Sequence, residues 1–399
     1  MGKAGMPPVL CLTPHLHLIP FIPVPSSVFY RSSELTPQEE FKEKLDRVRG
    51  HLDRKGLHGV CLTRQGNFAW IACGGENRVV TASEIGAATA FVSRDRICVV
   101  ADNIEAPRLR QEELAELAID VLEYEWHQPA ERERILSDLA AGNKVASDIG
   151  TANPLEKDFD ELKYSLTDPE VGRYRWLGRN CSLAIEKVCT EIKPEMPENE
   201  IAARLAQEAM KARITPTVIL IAADDRAFHY RHPLPTDKKV KEHAMVVFCG
   251  RRWGLWVSLT RIVHFGKLPA ELAAKHKAVC GVDAAFILNS RPEAVTGEIF
   301  QKAVSAYEAA GFPDEWKLHH QGGPTGYEGR YYRVVPSERR TLYANQAVAW
   351  NPSIAGTKSE DTVLCTGDNP EILTPCHQWP ATQYESAGMA IFRPDILVV

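Results

Sequence analysis

At Thr167-Asp168-Pro169-Glu170 the chain combines a capping hydroxyl, a proline tolerated only in the first turn of a helix, and an early acid. This start signal opens a helix with Val171, Tyr174, Leu177, Cys181, Ile185 and Val188 on one face. Whatever precedes it must therefore end there. A chain of 399 residues exceeds what one hydrophobic core usually organises. The expected organisation is a tail or arm at 1–34, a first domain at 35–165 and a second at 166–399.

In the first domain, Thr36-Pro37-Gln38-Glu39 opens an amphipathic helix to about residue 55, and Gly56 ends it. Short apolar strands follow at 60–63, 87–92, 97–100 and 145–148, with a helix expected at 106–118. In the second, Pro194 and Pro197 break the chain before a helix at 200–212. Strands are expected at 218–222, 244–249 and 255–263, helices at 270–287 and 296–310, and closing strands at 347–350, 361–365 and from 391 on. The fold class is α/β (α+β), with no repeat of fixed period.

The net charge of −5 disfavours nucleic acid as a partner, and the basic run Lys238-Lys239-Val240-Lys241 is short enough for a solvated turn. Ten cysteines form no CxxC pair, which suits reduced thiols and a cytoplasmic protein. The apolar stretch 9–24 is interrupted by Pro14, Pro20 and Pro23 and holds His15 and His17, so neither a membrane span nor a secretory signal is expected. Met6 stands where a myristoylation signal needs Ser or Thr. Gly74-Gly75 and Gly322-Gly323 form neither a P-loop nor a dinucleotide fingerprint, and no Gly-x-Ser-x-Gly elbow occurs. No cofactor is expected.

Five segments occur in a telling order. They are Arg231-His232-Pro233-Leu234-Pro235-Thr236-Asp237, Ser258-Leu259-Thr260-Arg261, His319-His320-Gln321-Gly322-Gly323-Pro324-Thr325-Gly326-Tyr327, Asn351-Pro352 and Glu360-Asp361. With Leu62-Thr63-Arg64 and Asn67-Phe68-Ala69-Trp70, they make the chain from Thr36 onward resemble the creatinase/aminopeptidase P (peptidase M24) family. That resemblance implies a pita-bread second domain. Metal-dependent members hold two divalent ions with two Asp, one His and two Glu. Carried across, the first Asp falls at about Phe248 with a one-residue slip open, the second at Ser258, and the first Glu at Asn351. Only His320 and Glu360 remain, and one imidazole with one carboxylate cannot neutralise two cations. Cys249 is a lone soft donor.

Creatinase, within the same family, hydrolyses a C–N bond without metal through a His proton shuttle, and His232 falls at that position. It is either a general acid/base or a turn-capping structural residue. His320 would stabilise developing charge, or would hydrogen-bond with His319 inside a tight loop. Tyr327 would donate to substrate or pack in the core. Glu360 would orient His320 or pair with a cationic group, and Asn351 suits a polar group better than a metal. Ser258 and Arg261 would face substrate, Arg261 alternatively bridging the sheet. By analogy with creatinase-like dimers, Arg78 would reach a neighbour's pocket in a homodimer, or be an ordinary surface arginine.

The function these readings favour is a metal-independent hydrolase or lyase acting on a small polar substrate at a C–N bond. A metal-dependent Xaa-Pro-type aminopeptidase with altered ligands is the alternative, and a non-catalytic peptide-binding pita-bread protein is the second alternative. The partner would be a small molecule or short peptide.

Overall fold

The computed structural model describes residues 35–399 apart from 151, 368, 387 and 388, and these form one compact unit. The expected arm at 1–34 lies outside the described residues.

Helix α1 (Pro37–Lys55) starts as its sequence dictates: Thr36 and Glu39 form a reciprocal capping box, and Gly56 closes the end in the left-handed region (φ 61). It packs on a five-stranded sheet of order β4-β3-β2-β1-β5, built from β1 (Gly59–Arg64), β2 (Ile85–Ser93), β3 (Ile97–Asp102), β4 (Asp120–Tyr124) and β5 (Val145–Ser147). Residues 67–71 belong to a short buried helix, α2 (Gln65–Ile71). Two local readings differ from the sequence expectation. The helix expected at 106–118 is one turn, α3 (Ala106–Arg108), which opens into a wider turn over Leu109–Glu113. The Leu114 N–H bonds to the Leu109 carbonyl at 2.9 Å, so the extra residue in that turn brings Leu109 and Leu114 into the core together. Helix α4 (Pro129–Ala140), not anticipated, buries no residue fully and sets only Leu136 and Leu139 against the small cluster of Cys61, Phe91 and Cys98, a short apolar stripe to read.

The remainder is built on α5 (Asp168–Glu191) and α6 (Glu198–Lys211), which cover a sheet of order β17-β8-β7-β6. Its strands are β6 (Thr215–Ala223), β7 (His243–Arg252), β8 (Leu255–His264) and β17 (Leu397–Val398), with α7 (Asp225–His229) between β6 and β7. Helices α8 (Ala270–Leu288) and α9 (Thr296–Ala309) serve a second sheet of order β14-β13-β10-β9. Its strands are β9 (Gly322–Thr325), β10 (Gln346–Trp350), β13 (Asp361–Cys365) and β14 (Glu371–Ile372). Hairpins β11 (Ser353–Ile354) with β12 (Thr357–Lys358), and β15 (Ala381–Ser386) with β16 (Met389–Pro394), complete the order.

One apolar core runs from Leu45 through Trp70 and Tyr174 to Phe248 and Tyr327 without interruption at residue 165. A buried polar cluster crosses the same boundary. Lys44 on α1 meets Glu40 at 2.7 Å and Glu170 on α5 at 2.8 Å, Arg173 pairs with Glu40, and the Tyr327 hydroxyl donates to Glu170 at 2.6 Å. Among the described residues every cysteine is free, and no helix is long and apolar enough to cross a membrane.

Candidate functional site

The strand pair β7–β8 decides which side chains can meet. Cys249 stands opposite Ser258, and Phe248 opposite Leu259. Side chains alternate between faces, so Cys249, Ser258 and Thr260 share one face while Phe248, Leu259 and Arg261 share the other. The Cys249 Sγ lies 3.2 Å from Ser258 Oγ. Phe248 is fully buried in the apolar core and is no part of a binding surface; the one-residue slip puts Cys249 beside Ser258 instead. Arg261 is likewise excluded as a substrate anchor. Its guanidinium is buried behind the sheet, 3.1 Å from Asp361 and 3.8 Å from Glu186, and donates to the carbonyls of Thr260 and Thr374.

The second sheet brings its residues to the front of this face. Trp350 on β10 pairs with Asp361 on β13, so continuing the register sets Asn351 beside Glu360 just past the strand ends. Both are buried. Glu360 accepts from Thr260 Oγ1 at 2.8 Å, is met by Lys358 Nζ at 2.7 Å, and has Arg330 at 3.6 Å. Burial alone would push this carboxyl up, but Lys358 and Arg330 hold it below its ordinary value. Arg330 also donates to Ser258 Oγ at 3.3 Å. The Asn351 Oδ1 is buried without a hydrogen-bond partner.

Three imidazoles complete the site. Gly322 (φ 100) passes so close to β10 that a Cβ there would lie 2.1 Å from the Ala349 carbonyl, and this approach fixes the His319-His320 segment that precedes it. His232 follows α7, and its neighbour Arg231 is held by Ser353 Oγ at 3.1 Å and by Glu315. The Nε2 atoms of His232 and His319 are 3.1 Å apart, and the ligating atoms of His232, His319 and His320 all lie within 4.8 Å of one another. The His319 Nδ1 is 3.5 Å from Ser353 Oγ. His232 is exposed, His319 is buried, and His320 is half-buried with its Nδ1 unpartnered. Burial first, then the charge of Lys358, pushes His319 down to about 2. Burial, then Arg330, Arg333 and Lys358, push His320 down to about 4. His232 is lowered by burial and by Lys358. All three are neutral near pH 7.

Tyr327 is not in this group. Fully buried, it belongs to the Lys44–Glu170 cluster, which removes it from catalysis. Arg78 pairs with Glu76 at 3.0 Å. The residues missed from sequence are the cations Lys358, Arg330 and Arg333. Lys358, two residues from Glu360 inside a buried run, was the one signal available.

Residues 173–367 match the model of "Metallopeptidase family M24". The matched segment, a little under half of the chain, is what carries the resemblance to the M24 family. The chain is 26% identical over 231 residues to an uncharacterized peptidase of Staphylococcus epidermidis, an alignment that spans 55% of this chain and 65% of that relative. The fold is that of a Xaa-Pro dipeptidase from Bacillus anthracis (TM-score 0.71, 17% identity, 90% of this chain and 100% of that one). It is also that of the N-terminal domain of FACT complex subunit SPT16 from chickpea (TM-score 0.64, 11% identity, 85% and 97%).

Proposed function

We propose that the chain is a hydrolase that breaks a C–N bond of a small polar substrate by acid/base chemistry at His232, without a metal pair. The observation that carries this reading is the 3.1 Å approach of His319 Nε2 to His232 Nε2 beside a Glu360 already neutralised by protein cations. A family-type pair of divalent ions does not fit this donor set. Ser258 and Asn351 carry no charge, and the carboxylate of Glu360 is engaged by Lys358, Arg330 and Thr260.

With His319 Nδ1–H donating to Ser353, its Nε2 accepts from His232 Nε2–H. This leaves His232 Nδ1 as the free base. It takes a proton from water, the hydroxide formed adds to the substrate carbon, and the same proton passes to the departing nitrogen. His319, far too weak a base to take that proton, orients the ring and is a positioning residue. His320 offers a ring nitrogen to developing charge. The chain is further proposed to be cytosolic and to work as a homodimer with two structural halves meeting near residue 165, where Arg78 completes a neighbour's pocket.

The test is turnover of a panel of small amides, amidines and Xaa-Pro dipeptides by protein stripped with chelator. Activity that survives stripping and disappears in His232→Ala is expected. Activity that appears only on adding Mn or Zn overturns the reading. A second reading, a single-metal peptidase, draws on the convergence of three imidazoles within 4.8 Å, and the same panel with one equivalent of zinc tests it.

A further inference from the structure

The far end of the β7–β8 pair carries a second recess. His243 and His264 are cross-strand partners there, six residues along β7 from Cys249, or about 20 Å at the rise of a strand. A cavity of about 240 Å³ opens beside them, walled on its apolar side by Phe228 and Leu272, and none of its lining residues belongs to the candidate site. His243 and His264 are only 3% and 4% exposed, and each keeps a buried Nδ1 without a hydrogen-bond partner. The His243 Nε2 faces the Gly356 carbonyl at 3.1 Å. That contact places the ring hydrogen on Nε2 and leaves Nδ1 as an acceptor. A buried acceptor in this state calls for a donor from a ligand or ordered water, and the cavity has room for far more than one water.

The charges around the cavity select the kind of donor. Two of its carboxylates are answered within the protein, Glu271 by Lys275 at 2.7 Å and Asp225 by Lys238. The other two, Asp224 and Glu242, make no ion pair among the described residues. Asp224 is locked in place: its φ of 51 is rare for a residue with a side chain, and its carboxylate accepts from the N–H groups of Lys241, Glu242 and His243 at 3.0, 2.9 and 2.9 Å. Those bonds fix the carboxylate without bringing a cation to it. A metal ion does not fit, because among the described residues only His232, His319 and His320 bring three ligating atoms within 4.8 Å of one another. We infer that this recess binds a small organic ammonium, its N–H groups answered by His243 Nδ1 and the carboxylates of Asp224 and Glu242, and its carbon body by Phe228 and Leu272. The cavity is smaller than the pockets that take drug-sized molecules, so the ligand is a short amine or a single side chain. The assignment is independent of the hydrolytic reading, since it uses none of that site's residues.

The experiment is a ligand-observed NMR titration of the full chain with n-butylammonium, with 1-butanol as its uncharged counterpart, and separately with zinc chloride. Saturable 1:1 binding of n-butylammonium is expected, with 1-butanol weaker by roughly tenfold or more for want of charge-assisted contacts. Glu242 is exposed, so Glu242→Lys should leave the thermal midpoint unchanged while abolishing the binding. His319→Ala should keep the affinity, which places the binding away from the three imidazoles. Tighter binding of N-acetyl-lysine methylamide than of n-butylammonium identifies a peptide lysine as the source of the ammonium, and the reverse order a free amine. No binding of n-butylammonium, equal affinity for 1-butanol, or affinity unchanged by Glu242→Lys overturns the inference. So does one equivalent of zinc that is held by the unaltered protein and lost in His264→Gln at unchanged thermal midpoint.

Discussion

At the scale of single residues, the site is defined as much by what neutralises Glu360 as by Glu360 itself. Replacing Lys358 with Met would leave a buried carboxylate with only Arg330 at 3.6 Å and the Thr260 hydroxyl. The expected loss is about 3 kcal/mol of unfolding free energy in urea. The double change Lys358→Met/Glu360→Gln should recover most of it, because no unpaired charge then remains. Strand parity makes a second prediction. Phe248→Ala should cost about 4 kcal/mol through the cavity it opens. Cys249→Ser, on the opposite face of the same strand, should change stability little. Sequence resemblance brought Ser258, Asn351 and Glu360 into view, and the structure gathers them. It missed the parity of β7 because a run of buried residues on both faces carries no alternation to read. It missed the cations because a lysine or arginine in a sequence does not declare whether it is solvated or stands where an ion would.

At the scale of elements, the long helices and central strands were legible because their start signals and apolar spacing agree with where they pack. Helix α5 begins on the Thr167–Glu170 capping box that the sequence announced. Glu170 also serves Lys44 and Tyr327, a link between distant segments that no local pattern encodes. Tyr327→Phe is therefore expected to lower stability by about 1.5 kcal/mol, the net worth of one hydrogen bond to a charged group at the low end. It should leave kcat unchanged in any substrate assay. A large fall in kcat at unaltered stability would return Tyr327 to the site. Helix α4 and the wide turn after α3 escaped the sequence reading for the opposite reasons. One half-buries only a short stripe, and the other departs from the helical period to bury two leucines.

At the scale of the whole molecule, buried neutral histidines set the response to acid. His243 on β7 is pushed down to about 4, first by burial and then by His264, and His276 on α8 is lowered by burial. Neither belongs to the candidate site. A histidine whose folded value lies below the unfolded one binds fewer protons in the fold. Stability is therefore complete above pH 6.5 and is lost as pH falls from 6.5 toward 4. For His243 the full loss is roughly 3 kcal/mol. Urea midpoints at pH 7 and pH 5 check this, and His243→Gln should narrow the difference between them without abolishing it, because His276, His319 and His320 are lowered as well.

The buried cluster of Lys44, Glu40, Glu170, Arg173 and Tyr327 has a consequence for how such a chain can be rebuilt. Its members come from three stretches of sequence that a cut near residue 165 would assign to different pieces. A fragment carrying only 166–399 would keep Glu170 and Tyr327 but lose the ammonium they share. A fragment ending at 165 would keep that ammonium and its Glu40 but lose Glu170 and Arg173. Neither piece is a module that could be lent to another protein. A chimera made by exchanging the first portion for that of a relative should fold only when the incoming helix brings its own matched cation.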